Sequence, residues 1–193
     1  LRIVSTPKGR GNKMMASPVK QEAVKRGIPV FQPLKIRKDG VEDLKALAPD
    51  LCVTAAFGQI LSQEILDIPP MGTVNVHSSL LPKHRGSAPI NWSVIMGDQV
   101  TGVTTMFTDK GIDTGDMLLK AETAIDPDET SGELFDRLAA MGASLIVETV
   151  AGLKEGSIER EPQDEALSTH TSKIDKSLCP VDWTGTAAHI HNQ

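Results

Sequence analysis

Apolar positions in this chain come in short runs that alternate between a strand period and a helix period, with loops of proline, glycine and charge between them. Residues 1–5 are apolar and β-branched enough for a strand, and residues 7–16 read as a polar, glycine-containing loop. Ser17 before Pro18 has the form of a helix N-cap followed by proline at the first helical position, and Lys25, Arg26 and Gly27 supply a basic last turn and a stop. Residues 29–31 suit a short strand. Asp39 is expected to cap a helix carrying Val41, Leu44, Leu47 and Ala48 on one face, ended by Pro49 and Asp50. The continuous apolar run at 51–56 predicts a strand covered on both faces, central in a parallel sheet. Residues 62–66 read as one or two helical turns and 73–77 as the next strand. A helix over 89–96 is stopped by Gly97, and strands at 102–108 and 117–123 flank the loop 109–116. Thr130 and Glu133 have capping-box spacing, and Leu134, Leu138, Leu145, Ile146, Thr149, Val150 and Leu153 continue a helical stripe to Gly156, with Gly142 placed to break or bend it. From Ser157 the periodicity fades into a polar tail that ends near Val181, Asp182 and Trp183.

Strands alternating with helices imply an α/β domain with a mostly parallel sheet, whose ligands bind at the carboxyl ends of the strands. The loops after Ala55, His77 and Thr108 are therefore where chemistry is expected. With 193 residues, 39% hydrophobic and 23% charged, the chain has the composition of one generous globular domain, which argues against disordered, collagen-like or membrane-spanning classes. It contains no apolar run of the roughly 18 residues that a spanning helix requires. Nothing at the N-terminus resembles a secretory signal, so a cytoplasmic location is expected. Cys52 and Cys179 are too few for a disulfide scaffold and read as ordinary thiols. Four Phe, two Trp and no Tyr are too sparse for a base-stacking platform. Charge is divided unevenly: residues 1–38 hold ten Lys or Arg and one acid, a local +9, whereas 39–193 hold ten bases and 24 acids, a local -14. That asymmetry points the N-terminal stretch toward an anionic partner, with a solvated basic face as the alternative.

Asn75 and His77 lie two apart on a strand and so share a face. An amide NH₂ can donate to a developing oxyanion and an imidazole can donate or carry a proton, a pairing suited to attack on a carbonyl. Taken alone, Asn75 could equally satisfy turn backbone and His77 could be a partnered core histidine. In the following loop, Leu80 and Leu81 either cover an apolar ligand or plug the core, and His84 and Arg85 read as surface residues. Asp109, Asp113 and Asp116 stand among two glycines at spacings that fit neither a calcium loop nor a zinc site, so no metal is expected. A carboxylate brought beside His77 would orient its ring. The segment Gly9, Arg10, Gly11, Asn12, Lys13 lacks the spacing of a Walker loop or dinucleotide fingerprint and suits reaching along a nucleic-acid backbone.

Taken together, Asn75-x-His77, the run Ser79, Leu80, Leu81, Pro82, the pair Arg85-Gly86 and the run Asp113-Thr114-Gly115 resemble the signature of the folate-dependent formyltransferases, three loops matching in order over almost the whole chain. Gly9 to Lys13 with Ser17-Pro18-Val19-Lys20, residues 55–60 and Val181-Asp182-Trp183 look most like the branch whose acceptor is methionyl-tRNA. The resemblance implies a Rossmann-like, open, mostly parallel sheet, 10-formyltetrahydrofolate as co-substrate and the α-amino group of initiator methionyl-tRNA as acceptor, for translation initiation. It implies that the amine attacks the formyl carbon, that Asn75 and His77 hold the oxyanion, and that Asp113 orients His77 and helps move the proton through water. By the same resemblance Ser79, Leu80, Leu81 and Pro82 lie against the folate, Phe57, Gly58, Gln59 and Ile60 line its pterin pocket, and Arg10 and Lys13 meet the tRNA. Domain organisation is read as a catalytic domain over 1–160, lacking the family's first strand and helix, with 161–193 a linker toward an absent β-barrel domain. A monomer with no membrane or DNA partner is expected. Two other readings compete: a formyltransferase for a small amine such as a sugar nucleotide or glycinamide ribonucleotide, or a formyltetrahydrofolate hydrolase; and a nonenzymatic RNA-binding module using the basic segment.

Overall fold

The computed structural model describes residues 6–8 and 13–193, with backbone alone for 6–8 and 13–15. The strand expected at 1–5, and Arg10 with its flanking glycines, lie outside the described residues. The chain divides into two compact units, one of residues 1–50 and 58–71 and the other of 51–57 and 72–193.

In the first unit, part of the expected loop is a short antiparallel ribbon of β1 (Thr6–Lys8) and β2 (Lys13–Met15). Helix α1 (Pro18–Lys25) starts as the sequence dictates, with the Ser17 hydroxyl accepting from Lys20 N at 3.3 Å and proline in the first turn. The strand expected at 29–31 reduces to a single bridge residue, Phe31. The helix expected after Asp39 is two pieces, α2 (Ile36–Asp39) and α3 (Val41–Leu47), joined at Gly40. The reason is local. Asp39 turns back to accept from Leu34 N and Lys35 N, and Gly40 sits so close to Pro33 that a Cβ would lie 2.7 Å from the ring. Helix α4 (Gln63–Leu66) completes this unit and buries Ile65.

The second unit is built on a sheet of four strands in the order β3 (Cys52–Ala55), β4 (Thr73–His77), β6 (Val100–Phe107), β7 (Met117–Ala124). The expected open α/β architecture is present, and among the described residues its sheet is mixed: β3 and β4 are parallel, whereas β6 runs antiparallel to both β4 and β7. Among those residues β3 pairs on one side only and alternates half-buried with exposed positions, in contrast to the two-sided burial its apolar run predicts. A separate two-stranded pair joins β5 (Arg85–Gly86) to β8 (His170–Thr171), with α5 (Pro89–Ile95) between them in sequence and α7 (Ala187–Asn192) at the end of the chain.

Strand alternation gives the two sheet faces different work. On one face Val76 and Val103 pack with Leu134, Leu138 and Leu145 of α6 (Ser131–Glu155), each buried leucine contributing about 1.5–3 kcal/mol. Helix α6 begins at the Thr130 capping box and runs unbroken through Gly142. That glycine does not bend the helix; it lets the backbone approach the sheet, because a Cβ there would lie 3.0 Å from Val76 Cγ1 and 3.5 Å from Val103 Cγ1. The opposite face, carrying Thr54, Asn75, His77, Thr104 and Met106 in register, is left for chemistry.

Candidate active site

Asn75 and His77 share one face of β4, as their spacing predicts. Thr54, the register partner of Asn75 on β3, donates its hydroxyl to Asn75 Oδ1 at 2.9 Å. This fixes the amide so that Nδ2, which has no protein partner among the described residues, is the atom presented. Thr54→Val would keep the shape and release the amide. Loss of that one bond, about 1 kcal/mol, is expected to slow turnover about fivefold while lowering the melting temperature by no more than about 2–4 °C, measured by initial rates and a thermal melt.

His77 is buried, and its Nε2 lies 2.9 Å from the carbonyl oxygen of His84. A carbonyl only accepts, so Nε2 carries the proton and Nδ1 is the free position. Nδ1 faces Asp113 Oδ2 at 3.7 Å, too long for a hydrogen bond but close enough that a proton taken up by Nδ1 would be stabilised by the carboxylate. His84 is itself pinned, with φ +56°, its N–H donating to Thr169 Oγ1 at 2.8 Å and its ring 2.6 Å from Asp98 Oδ2.

Asp113 reaches His77 from the loop between β6 and β7. Its backbone is left-handed, at φ +54°, and its Oδ2 accepts from Gly86 N at 2.9 Å. The loop returns tightly to β6: a Cβ on Gly115 would lie 1.9 Å from Phe107 O, and Asp109 accepts from Gly111 N and Thr114 Oγ1 inside the turn. The signature's Asp113 and Gly115 are therefore set by backbone space as well as by chemistry.

The loop after His77 is fastened to the same sheet face. Thr104 Oγ1 donates to Ser79 O at 2.7 Å and accepts from Leu81 N, while Ser79 Oγ donates to Lys83 O. Ser79 is fully buried, and Leu81 packs in the core with Met106 and Met117; Leu80 and Pro82 remain half-buried. His84 and Arg85, read from the sequence as surface residues, are 8% and 1% exposed. Arg85 donates in bidentate fashion to Glu165, at 3.0 and 2.8 Å, and its Nε donates to Gln163 Oε1 at 2.8 Å. The guanidinium holds the Glu165 carboxyl below its ordinary range. Gln163 and Glu165 escape the sequence reading because they sit in the stretch read as linker, 78 and 80 residues from Arg85; the one local signal is an arginine beside a signature glycine. Residues 161–171 instead pair back onto the unit, through a Met117–Glu161 bridge and strand β8.

Of the remaining predicted positions, Phe57 ends the first segment of the second unit, whereas Gly58, Gln59 and Ile60 belong to the first unit. There Gln59 donates to Leu34 O and accepts from Ile36 N, and Ile60 is 76% exposed. Lys13 is described as backbone of β2 only. Among the described residues no helix is long and apolar enough to cross a membrane, and no group of three or more His, Cys, Asp or Glu is placed to hold a metal ion.

An amide donor and a histidine on one strand, faced by an aspartate from a glycine-bound loop, define a class built for acyl transfer. The chain belongs to the formyl transferase family, whose model matches residues 4–150. It is 52% identical over 187 residues to methionyl-tRNA formyltransferase from Ruminiclostridium cellulolyticum, an alignment that takes in 96% of this chain and 60% of that protein. The chain thus spans about three-fifths of the length of the curated relatives it matches. Among solved structures it is similar to an N-formyltransferase from Helicobacter canadensis in complex with folinic acid and dTDP-3-aminofucose, at TM-score 0.75, 20% identity and coverage of 99% of this chain and 68% of that one. It is also similar to HypX from Aquifex aeolicus in complex with tetrahydrofolic acid, at TM-score 0.71, 18% identity and coverage of 89% and 30%. These likenesses establish the formyltransferase fold.

Proposed function

We propose that this chain forms the catalytic part of an enzyme that moves the formyl group of 10-formyltetrahydrofolate onto the α-amino group of initiator methionyl-tRNA, the step that readies it for translation initiation. The observation that carries the reading is the unengaged Asn75 Nδ2 on the same strand face as His77 Nδ1, with Asp113 Oδ2 at 3.7 Å from that nitrogen. The relatives near 50% identity, named methionyl-tRNA formyltransferase, support this acceptor, and the folates named with the solved neighbours support the donor.

Folate supplies the formyl group; the residues do the rest. Asn75 Nδ2 donates to the formyl oxygen as it gains charge when the amine nitrogen bonds to the formyl carbon. His77 Nδ1 accepts the amine proton, its cation stabilised by Asp113, and joins Asn75 as a donor to the oxyanion. The same proton then goes to the folate nitrogen as its bond to the formyl carbon breaks. Leu80 and Pro82 offer the folate their half-buried surface, while Ser79 and Leu81 hold the loop that presents them. Assignment of Phe57, Gly58, Gln59 and Ile60 to the pterin, and of Arg10 and Lys13 to the tRNA, rests on the resemblance. The enzyme acts as a cytoplasmic monomer with RNA as its macromolecular partner.

Tetrahydrofolate release, followed with and without methionyl-tRNA, tests the reading. Release that requires methionyl-tRNA and matches the formyl-methionyl-tRNA formed is expected. Release into water alone would instead make the protein a hydrolase, release driven by a sugar-linked amine would make it a small-amine enzyme, and RNA binding with no release would make it a binding module. Arg10→Ala should lower the tRNA-dependent rate with folate binding intact. Its deficit should shrink as salt rises, because a lost phosphate contact removes about 0.7–0.9 from the salt slope. Equal rates at two salt concentrations would remove Arg10 from the tRNA contact.

A further inference from the structure

Gln163 lies outside the signature loops, 50 residues beyond Asp113, yet its side chain is spent on the loop that carries Asp113. Its Nε2 donates to Asp113 O at 2.9 Å and to Gly115 O at 2.8 Å, which uses both amide protons. Its Oε1 accepts from Arg85 Nε at 2.8 Å, so the amide is oriented by a buried cation that can only donate. Arg85 is fixed in turn by Glu165, by Thr171 Oγ1 donating to its carbonyl at 3.0 Å and by its own N–H donating to Thr169 O at 2.9 Å. The next residue closes the circuit, since Gly86 N donates to the Asp113 carboxylate itself. Asp113 is therefore gripped twice, at its carboxylate by Gly86 and at its carbonyl by Gln163. The second grip matters because the left-handed backbone of Asp113, at φ +54°, is sparsely populated by non-glycine residues and is held where its surroundings fix it.

We propose that Gln163 is a positioning residue for formyl transfer: by bonding the carbonyls of Asp113 and Gly115 it holds the Asp113 carboxylate in reach of His77 Nδ1. The proposal rests on the functional reading above. It makes residues 161–171 a strap that belongs to the active site.

Two variants of the full chain test it. Gln163→Leu removes the acceptor and both donors at similar volume, whereas Gln163→Glu keeps an acceptor for Arg85 and turns an oxygen toward the two carbonyls. Both are expected to lower kcat about 10- to 100-fold, the scale of a misplaced catalytic group, with KM for either substrate within about twofold. In an Asp113→Asn background Gln163→Leu should cost less than about threefold more, because the residue acts through Asp113. A second readout needs no turnover: hydrogen exchange at the Gly86 amide, protected by Asp113, should quicken at least about tenfold in both variants while core amides of β6 are unchanged. Should the wild-type protein transfer no formyl group, the functional reading falls, and Gly86 exchange still decides whether Gln163 holds Asp113. Near-wild-type kcat with unchanged Gly86 exchange in Gln163→Leu would overturn the positioning role. So would wild-type behaviour of Gln163→Glu beside a slow Gln163→Leu, which would mean that the side chain serves only to anchor Arg85.

Discussion

His77→Ala is expected to slow formyl transfer at least ~10²-fold, the ordinary loss for a removed proton carrier, and Asn75→Ala to cost a similar factor as a lost oxyanion donor. The two losses differ in what accompanies them. Removing the imidazole leaves the His84 carbonyl without its donor inside the protein, at about 1–3 kcal/mol, so His77→Ala should melt measurably lower. Asn75 is half-buried with Nδ2 unengaged, and its one partner, Thr54, also has Val74 O within 3.4 Å as an acceptor, so Asn75→Ala should melt near the wild type. Single-turnover rates with a parallel thermal melt separate chemistry from folding. Near-normal transfer in either folded variant would remove that residue from the mechanism.

Asp113→Asn should be comparably damaging, at about 10²-fold in kcat, although it changes little in shape. The amide oxygen can still accept from Gly86 N, so the loop should keep its place. That oxygen is also the atom that faces His77 Nδ1, so the contact survives without its charge, and no negative charge would remain to stabilise the imidazolium as the amine proton arrives. KM for both substrates should hold steady. A kcat within about threefold of wild type would reduce Asp113 to a turn residue.

The parts of this site that depend on short-range rules are legible in the sequence. Alternation on a strand puts Asn75 and His77 on one face; the capping box starts α6; glycine and aspartate mark the tight loop after β6. Where expectation and structure part, the cause is a partner distant in sequence. Arg85 reads as a solvated charge because no acid stands near it, and it is buried because Glu165 and Gln163 return to meet it. Gly142 reads as a helix breaker because its benefit, room for Val76 and Val103, lies on two strands that the helix pattern does not contain. The tail after Ser157 shows no period because it holds its place through the Met117–Glu161 bridge, a two-residue strand and side-chain hydrogen bonds, none of which imposes one on the sequence.

The formyl oxygen is expected at Asn75 Nδ2, on the sheet face that α6 leaves open. A crystal structure of the protein with bound 5-formyltetrahydrofolate addresses it most directly, since that folate carries the group without readily giving it up. The account predicts the formyl group over the carboxyl end of β4, its oxygen within about 3.2 Å of Asn75 Nδ2, with His77 Nε2 still on the His84 carbonyl and Nδ1 turned to the ligand and Asp113. A folate seated elsewhere, or one that leaves Asn75 Nδ2 unpaired and rotates His77 away from Asp113, would contradict it.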